Sequence, residues 1–371
     1  MHFADNELMT ISDHLIRWYR KNQRELPWRL SRDPYKIWVS EIILQQTRVE
    51  QGLPYYQRFM ERFPSVELLA AAAEEELLYQ WQGLGYYTRA RNMHKTARLV
   101  VASLGSVFPT DHSILLRLPG IGPYTAAAIA SMAGGQATPV VDGNVIRVIT
   151  RIFGIDGEIG RRETMAAIQD RAHSLLRGQD PGEMNQALME FGALQCVPVK
   201  PDCTTCPVVD QCAAFATDRV SALPRKKPKT SPRPRYLHAL VFCENTSPAF
   251  TYLTRRDTSD IWKGLYTFPF IEKDELLSWE DLMQDIDYQA YNVPHRLEIP
   301  PDCLDMTHIL THQKLFVRFF IIHISGWTQT PLLPESLIRV EIESLMNYPM
   351  PRLIHRFLDR WDPWKNDQAQ P

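Results

Sequence analysis

No apolar stretch in this 371-residue chain approaches the roughly 20 residues that a membrane span requires. Even Leu68 to Ala73 is stopped by Glu74, Glu75 and Glu76. The opening residues, MHFADNELM, carry acids where a secretory leader would carry basic residues and an apolar core, so a soluble, intracellular, cytoplasmic protein is expected. An excess of positive charge is also missing: 41 Lys and Arg stand against 43 Asp and Glu, a net charge of -2. A nucleic-acid contact would therefore need its positive charge gathered on one face. Cysteine is scarce, and four of the six lie between Cys196 and Cys212, which excludes a disulfide-stapled scaffold. No internal repeat of solenoid length is present. What the chain does have is 44% hydrophobic and 23% charged residues, a globular composition long enough for two or three cores.

From Leu15 to about Ala214 apolar positions recur at three- and four-residue spacing with breaks at Pro or Gly, which predicts helices. The segment PRKKPKTSPRPR, Pro224 to Arg235, holds four prolines and six basic residues and no hydrophobic periodicity. It reads as an extended, solvated linker. Beyond it, Tyr236–Phe242, Phe250–Thr254, Leu265–Phe270 and Leu315–Ile324 read as strands, and Arg352–Trp361 returns to helical spacing. The expected organisation is multi-domain: an all-α domain over 1–215, a basic linker over 216–235, a smaller α/β domain over 236–365 and a polar tail over 366–371.

Cys196, Cys203, Cys206 and Cys212 form C-x6-C-x2-C-x5-C, four soft ligands within one short loop, 196–212. A zinc knuckle is one reading. One tight pair with two wide spacings favours an iron–sulfur cluster. The turn LPGIG, Leu118 to Gly122, separates two predicted helices within 112–133; Gly120 and Gly122 permit close backbone approach, and the next helix start favours an anion such as phosphate. Asp142 in VVDGN precedes a helix bearing Val145, Val148, Ile149 and Ile152, so it serves as an N-cap, and helix N–H groups also keep a carboxylate ionised. Glu41 lies on the apolar face of a helix expected from Tyr35 to about Thr47. Desolvation there should raise its pKa and suit it to general acid work, although a structurally hydrogen-bonded buried Glu is the plainer alternative.

LPGIGPYTA, VVDGN and the four cysteines in this order resemble the helix-hairpin-helix family of DNA glycosylases. RELPWR from Arg24, WVSEIILQQTRV from Trp38, GLGYY from Gly83 and NQALMEFGA from Asn185 narrow the resemblance to its adenine-specific, MutY-type branch, over about Leu15 to Cys212. The resemblance implies a [4Fe-4S] cluster on the four cysteines and, as partner, double-stranded DNA carrying adenine opposite 8-oxoguanine or G, bound by a monomer in base excision repair. It implies that Glu41 protonates N7 of a flipped adenine, that Asp142 stabilises the oxocarbenium-like sugar, and that Tyr124 and Asn144 position water and support charge. Arg24, Leu26, Trp28 and Glu190 match adenine-pocket residues; Gln46 and Tyr86, or its neighbour Tyr87, match groups that fill the base stack. Relatives that also cut the strand carry a Schiff-base lysine where this chain has Tyr124, so a monofunctional enzyme without strong lyase activity is expected.

GLYTFPF from Gly264 resembles a Nudix, MutT-like domain, but IEKDELLSWEDLM lacks the REUxEE acidic cluster, so recognition without nucleotide hydrolysis is expected. Leu310-Thr311-His312 stands where the family reads 8-oxoguanine with FSH; Thr311 and His312 keep the hydrogen-bonding groups while Leu310 replaces Phe. Lys200 within the cysteine loop and Arg219 after it are expected near phosphate. An endonuclease III-like enzyme for oxidised pyrimidines and a non-catalytic lesion binder are the competing readings; Tyr124 and the second domain argue against the first, and the joint presence of Glu41 and Asp142 against the second.

Overall fold

A computed structural model of the protein describes residues 10–225, 231–244, 246–257, 260–291, 301–310, 312–324, 334 and 336–361. Twelve helices come first among these residues: α1 (Ile11–Asn22), α2 (Pro34–Leu44), α3 (Val49–Arg62), α4 (Val66–Ala71), α5 (Glu74–Gln80), α6 (Thr88–Ser103), α7 (His112–Leu115), α8 (Pro123–Met132), α9 (Gly143–Phe153), α10 (Arg162–Leu175), α11 (Pro181–Leu194) and α12 (Ala213–Ala216). The second half comprises β1 (Arg233–Glu244), β2 (Phe250–Arg255), β3 (Tyr266–Thr267), β4 (Phe270–Lys273), α13 (Trp279–Gln284), α14 (Ile286–Gln289), β5 (Asp302–Ile309), β6 (Gln313–His323), β7 (Leu337–Glu341) and α15 (Arg352–Leu358). No helix of the described residues is long and apolar enough to cross a membrane.

Local chemistry explains the helix starts. Asp33, Asp111, Asp142 and Asp180 each cap a helix by accepting backbone N–H bonds, with proline next in line after Asp33 and Asp180. α9 stops at Gly154, whose φ of 66° is the left-handed conformation of a helix C-cap.

Two compact units result, residues 1–72 with 91–228 and residues 73–90 with 229–371. Residues 73–90, within the span expected to be the helical domain, thus cluster with the strand-rich part. In the first unit α1, α9, α10 and α11 bury Leu15, Val148, Ile149, Ile168, Leu188 and Phe191 in one core. Every residue of α8 from Thr125 to Met132 is buried, and so is α2 from Tyr35 to Ile43 apart from the half-buried Lys36. Small alanines let α8 sit close to α2 and α11.

In the second unit a seven-stranded mixed sheet has the order β3-β2-β1-β6-β5, with β4 added to β1 and β7 to β2. β1 and β6 run parallel from Arg233 opposite Gln313 to Cys243 opposite His323. Side chains of β1 alternate between faces: Leu237, Ala239 and Val241 join Leu353, Ile354 and Phe357 of α15, while Leu240 and Phe242 join Trp279, Leu282 and Tyr288. Helices thus cover both faces, as a sheet with a central parallel pair requires.

Several boundaries differ from the sequence expectation. The helix expected to reach Thr47 stops at Leu44, because Gln45 leaves the helical region and Gln46 adopts φ 58°. The strand expected over Leu265–Phe270 is two short strands interrupted at Phe268-Pro269, since Pro269 cannot donate to a ladder. β1 begins inside the proline-rich segment, where Arg235 binds Asp260 and Glu272. Lys226, Lys227 and Lys229, as well as the tail over 366–371, lie outside the described residues.

Gly192 on α11 marks the tightest helix approach near the site: a Cβ there would lie 2.7 Å from the Cβ and 2.9 Å from the carbonyl oxygen of Asn144 on α9. Backbone cannot swing away as a flexible side chain would. Gly192→Ala is expected to cost about 1–3 kcal/mol, seen as a lowered urea midpoint; a wild-type midpoint would show that α9 and α11 have slack.

Candidate active site

Glu41 projects from α2 into the interior and is only 6% exposed. Burial pushes its carboxyl up to about 7 and the nearby charge of Asp142 adds to the rise, while a hydrogen bond from Tyr124 and the charge of Arg29 oppose it. The Tyr124 hydroxyl, brought by the first turn of α8, is itself raised well above its ordinary value by burial and by the two carboxyls. Glu41 is thus a carboxyl that holds its proton near neutral pH.

Asp142 caps α9: its Oδ1 accepts from Val145 N at 2.7 Å and its Oδ2 from Asn144 Nδ2 at 3.0 Å. Burial raises its pKa above the ordinary value; the Val145 and Asn144 bonds and the charge of Arg147 pull the other way. Burial thus raises both carboxyls in one cleft, and they differ in that Asp142 alone accepts from a helix N–H and a side-chain amide, bonds that favour its anion.

Arg147 and Arg151 tie this helix to the cysteine loop. Arg147 donates to Cys196 O at 2.7 Å, to Gly192 O at 2.6 Å and to Asn144 Oδ1 at 2.9 Å. Arg151, 2% exposed, donates to Val197 O, Pro198 O and Leu223 O and reaches Cys196 Sγ at 3.4 Å. A continuous chain of hydrogen bonds runs from Cys196 through Arg147 and Asn144 to Asp142.

The opposite wall comes from the segment after α1. Glu190 on α11 is 1% exposed and receives Arg24 through its backbone N, Nε and Nη2, and Arg29 through both terminal nitrogens. Burial would raise the Glu190 pKa, but these charged donors prevail and hold it at about 2. Leu26 and Trp28 are buried between them. The cleft, about 450 Å³, is lined by Arg24, Leu26, Trp28, Arg29, Glu41, Tyr124, Asp142, Asn144, Gln186 and Glu190. Gln46 borders an adjoining hollow with Glu41, Tyr124 and Asp142. Arg29, Arg147 and Gln186 escaped the sequence reading. Arg147 and Arg151, four apart on an otherwise apolar helix face, were a usable signal; nothing comparable marked Gln186, whose Oε1 accepts from Tyr19.

Gly120 has φ 76°, and a Cβ there would lie 2.6 Å from Asn92 Cβ, so only glycine fits this turn. Gly122 is the exposed N-cap of α8. The four cysteines line one largely apolar cavity with Phe191 and Val208. Burial raises the Cys206 thiol to about 11, with the other three thiols adding to the rise. The four cysteines line that cavity beside the Arg151 guanidinium, while among the described residues no group of three or more His, Cys, Asp or Glu is gathered closely enough to hold a metal ion. Lys200 is exposed, with φ 48°, and Arg219 pairs with Asp156.

In the second unit Tyr86 is 48% exposed and Tyr87 6% exposed. Leu310 packs partly buried against the sheet core and closes the β5–β6 hairpin through Leu310 N to Gln313 O. His312 is exposed. Thr311 lies outside the described residues.

Residues 39–173 match the HhH-GPD superfamily of base excision DNA repair proteins, and residues 239–360 match the NUDIX domain. An adenine DNA glycosylase of Buchnera aphidicola subsp. Acyrthosiphon pisum (strain APS) is 35% identical over 271 residues, 72% of this chain and 76% of that protein. The Homo sapiens adenine DNA glycosylase is 32% identical over 385 residues, 89% of this chain and 70% of its own. Among solved structures, a thermostable thymine-DNA glycosylase superposes with a TM-score of 0.51 at 29% identity, covering 56% of this chain and 95% of that one. A helical unit and a Nudix-type unit in one chain, aligned through most of their length with relatives of this similarity, have one explanation: the chain belongs to the adenine DNA glycosylase family.

Proposed function

We propose that the protein is a monofunctional DNA glycosylase that hydrolyses the N-glycosidic bond of adenine mispaired with 8-oxoguanine, or with G, in duplex DNA. The observation that carries the reading is the pair Glu41 and Asp142, a carboxyl raised to about 7 and a helix-capping carboxyl in one buried cleft. Adenine extruded from the stack enters that cleft, where protonated Glu41 donates to N7 and weakens the glycosidic bond. Ionised Asp142 faces the sugar as positive charge develops, and water completes the hydrolysis to free adenine and an abasic site. Tyr124 orients the Glu41 proton, Asn144 holds Asp142, and Arg24, Leu26, Trp28 and Glu190 enclose the base. Tyr124 offers no amine for a Schiff base, which supports hydrolysis without strand cleavage.

Gly120, Gly122 and the α8 N-terminus are suited to a phosphate of the bound strand, with Gln46 and Tyr86 filling the stack. The second unit reads the opposite base through the hairpin at Thr311 and His312. The cysteines hold a [4Fe-4S] cluster, which when bound braces the loop that Arg147 and Arg151 grip.

Single-turnover assays on duplexes with A opposite 8-oxoguanine, A opposite G and thymine glycol opposite A, each with and without alkali, test the reading. Adenine loss that yields strand breaks only after alkali is expected; breakage of the thymine glycol duplex without alkali would indicate an endonuclease III-like enzyme instead.

Because Glu41 must be protonated, the excision rate should fall about ten-fold per unit as pH rises above about 7. Glu41→Gln should lose at least on the order of 10²-fold in rate. The same residue bears on stability. Its folded-state pKa lies above the ordinary carboxylate value, so it favours folding while protonated and that contribution is lost as pH climbs toward and through about 7, at roughly 1.4 kcal/mol per unit. Glu41→Gln should therefore unfold later than wild type at pH 8 but not at pH 4.5; the same difference at both values would place the carboxyl in solvent.

Arg147→Gln removes the guanidinium that holds Asn144 and Cys196 O. Excision is expected to fall more than ten-fold with the far-ultraviolet dichroism retained, and an unchanged rate would dismiss the hydrogen-bond chain as a determinant of Asp142 geometry.

A further inference from the structure

The turn between α5 and α6 is over-determined. Gly83, Gly85 and Tyr86 have φ of 95°, 68° and 47°, so a bulky side chain sits in a backbone region that costs it energy. Trp81 Nε1 donates to Gly85 O at 3.0 Å, and Arg89 Nη2 donates to Leu84 O and Gly85 O at 3.2 and 3.3 Å. The Arg89 guanidinium lies 5.2 Å from the Trp81 ring centroid and 5.6 Å from that of Tyr86. The result is an aromatic ring held outward while its neighbour Tyr87 turns in.

Two further bonds fasten the turn within the second unit. Tyr87 Oη donates to the carbonyl oxygen of the fully buried Met350 at 3.0 Å, and Gln82 Nε2 lies 2.6 Å from His355 Nε2 on α15. Burial and the neighbouring Arg352 hold His355 below its ordinary pKa, so Nε2 of the neutral ring accepts the Gln82 amide proton. The anchors flank Tyr86 at one and four residues, and both end near α15, which packs on the sheet that carries the β5–β6 hairpin.

We propose that Gln82 and Tyr87 are positioning residues that fix Tyr86 to the lesion-reading body, so that the ring entering the base stack and the hairpin at His312 engage the 8-oxoguanine pair together. The inference rests on the functional reading above and deepens it: preference for 8-oxoguanine over guanine depends on this pair of hydrogen bonds as well as on the groups that touch the lesion. Tyr87→Phe and Gln82→Leu each delete one bond and keep the bulk of the side chain.

Two experiments on the full chain test it. Hydrogen exchange of residues 81–90 without DNA should quicken in the Gln82→Leu/Tyr87→Phe double variant, and unchanged exchange overturns the anchoring. In single-turnover assays the double variant should lose about ten-fold in the ratio of rates for A opposite 8-oxoguanine and A opposite G, the equivalent of two modest hydrogen bonds, with the rate opposite G at its wild-type value. In a Tyr86→Ala background the same changes should cause no further loss of ratio. An unaltered ratio, or an equal loss with and without Tyr86, overturns the positioning role. A wild-type protein that shows no preference for 8-oxoguanine would instead sink the functional reading, and the discrimination role with it, whatever the exchange data show.

Discussion

Desolvation of one carboxyl is the constraint from which the catalytic unit follows. Glu41 keeps its proton near neutral pH because α2 is buried almost all round, and that requires the small-residue surface of α8 on one side and the Glu190 anchorage on the other. A wider gap would admit water and return the carboxyl to its solution value. The paired charges at Glu190 fit the same demand, since two arginines near the cleft would otherwise oppose a neutral carboxyl by stabilising its anion. Glu190 takes bonds from both, and only a residual influence of Arg29 on Glu41 remains.

Asp142 answers the opposite demand through its place at a helix start. Burial raises its pKa, and the Val145 N–H, the Asn144 amide and the Arg147 charge favour its anion. That arrangement is only as fixed as α9, whose Arg147 and Arg151 both reach to the cysteine loop. The loop therefore bears on the geometry of the Asp142 side of the cleft from a distance, through Cys196 O, Arg147 and Asn144. Gly192 belongs to the same construction, because its missing Cβ lets α11 approach the first turn of α9.

Residues whose role shows as a violation of local pattern were legible in the sequence. Glu41 is an acid on an apolar helix face, Asp142 an acid directly before a helix, and the cysteines a cluster in a chain otherwise poor in cysteine. Glu41 and Asp142 meet in the cleft, and the cysteines line a separate cavity. Arg29 and Gln186 were not legible, since the importance of each arises only when a distant helix supplies Glu190 or Tyr19 supplies a partner. The division of the chain was hidden for a similar reason: helical periodicity continues through residues 73–90, and pattern says nothing of which body a helix packs on. The strand edges were missed where β5 and β7 expose much of their surface, leaving no strong alternation to read.

The Nudix-type sheet is buried under helices on both faces. Its side chains on one face are covered by α13 and α14, where Trp279, Leu282 and Tyr288 fill the space between helix and sheet. Several acids of that neighbourhood are already committed: Asp285 and Asp287 bind Lys273, Asp281 accepts from Ser278, and Glu272 and Asp260 bind Arg235. Carboxylates neutralised in pairs are poor candidates for gathering around a divalent cation, because each would have to leave a partner before binding one. At the hairpin end Leu310 packs partly buried against the sheet core, where it supplies an apolar anchor for the turn, while His312 is exposed.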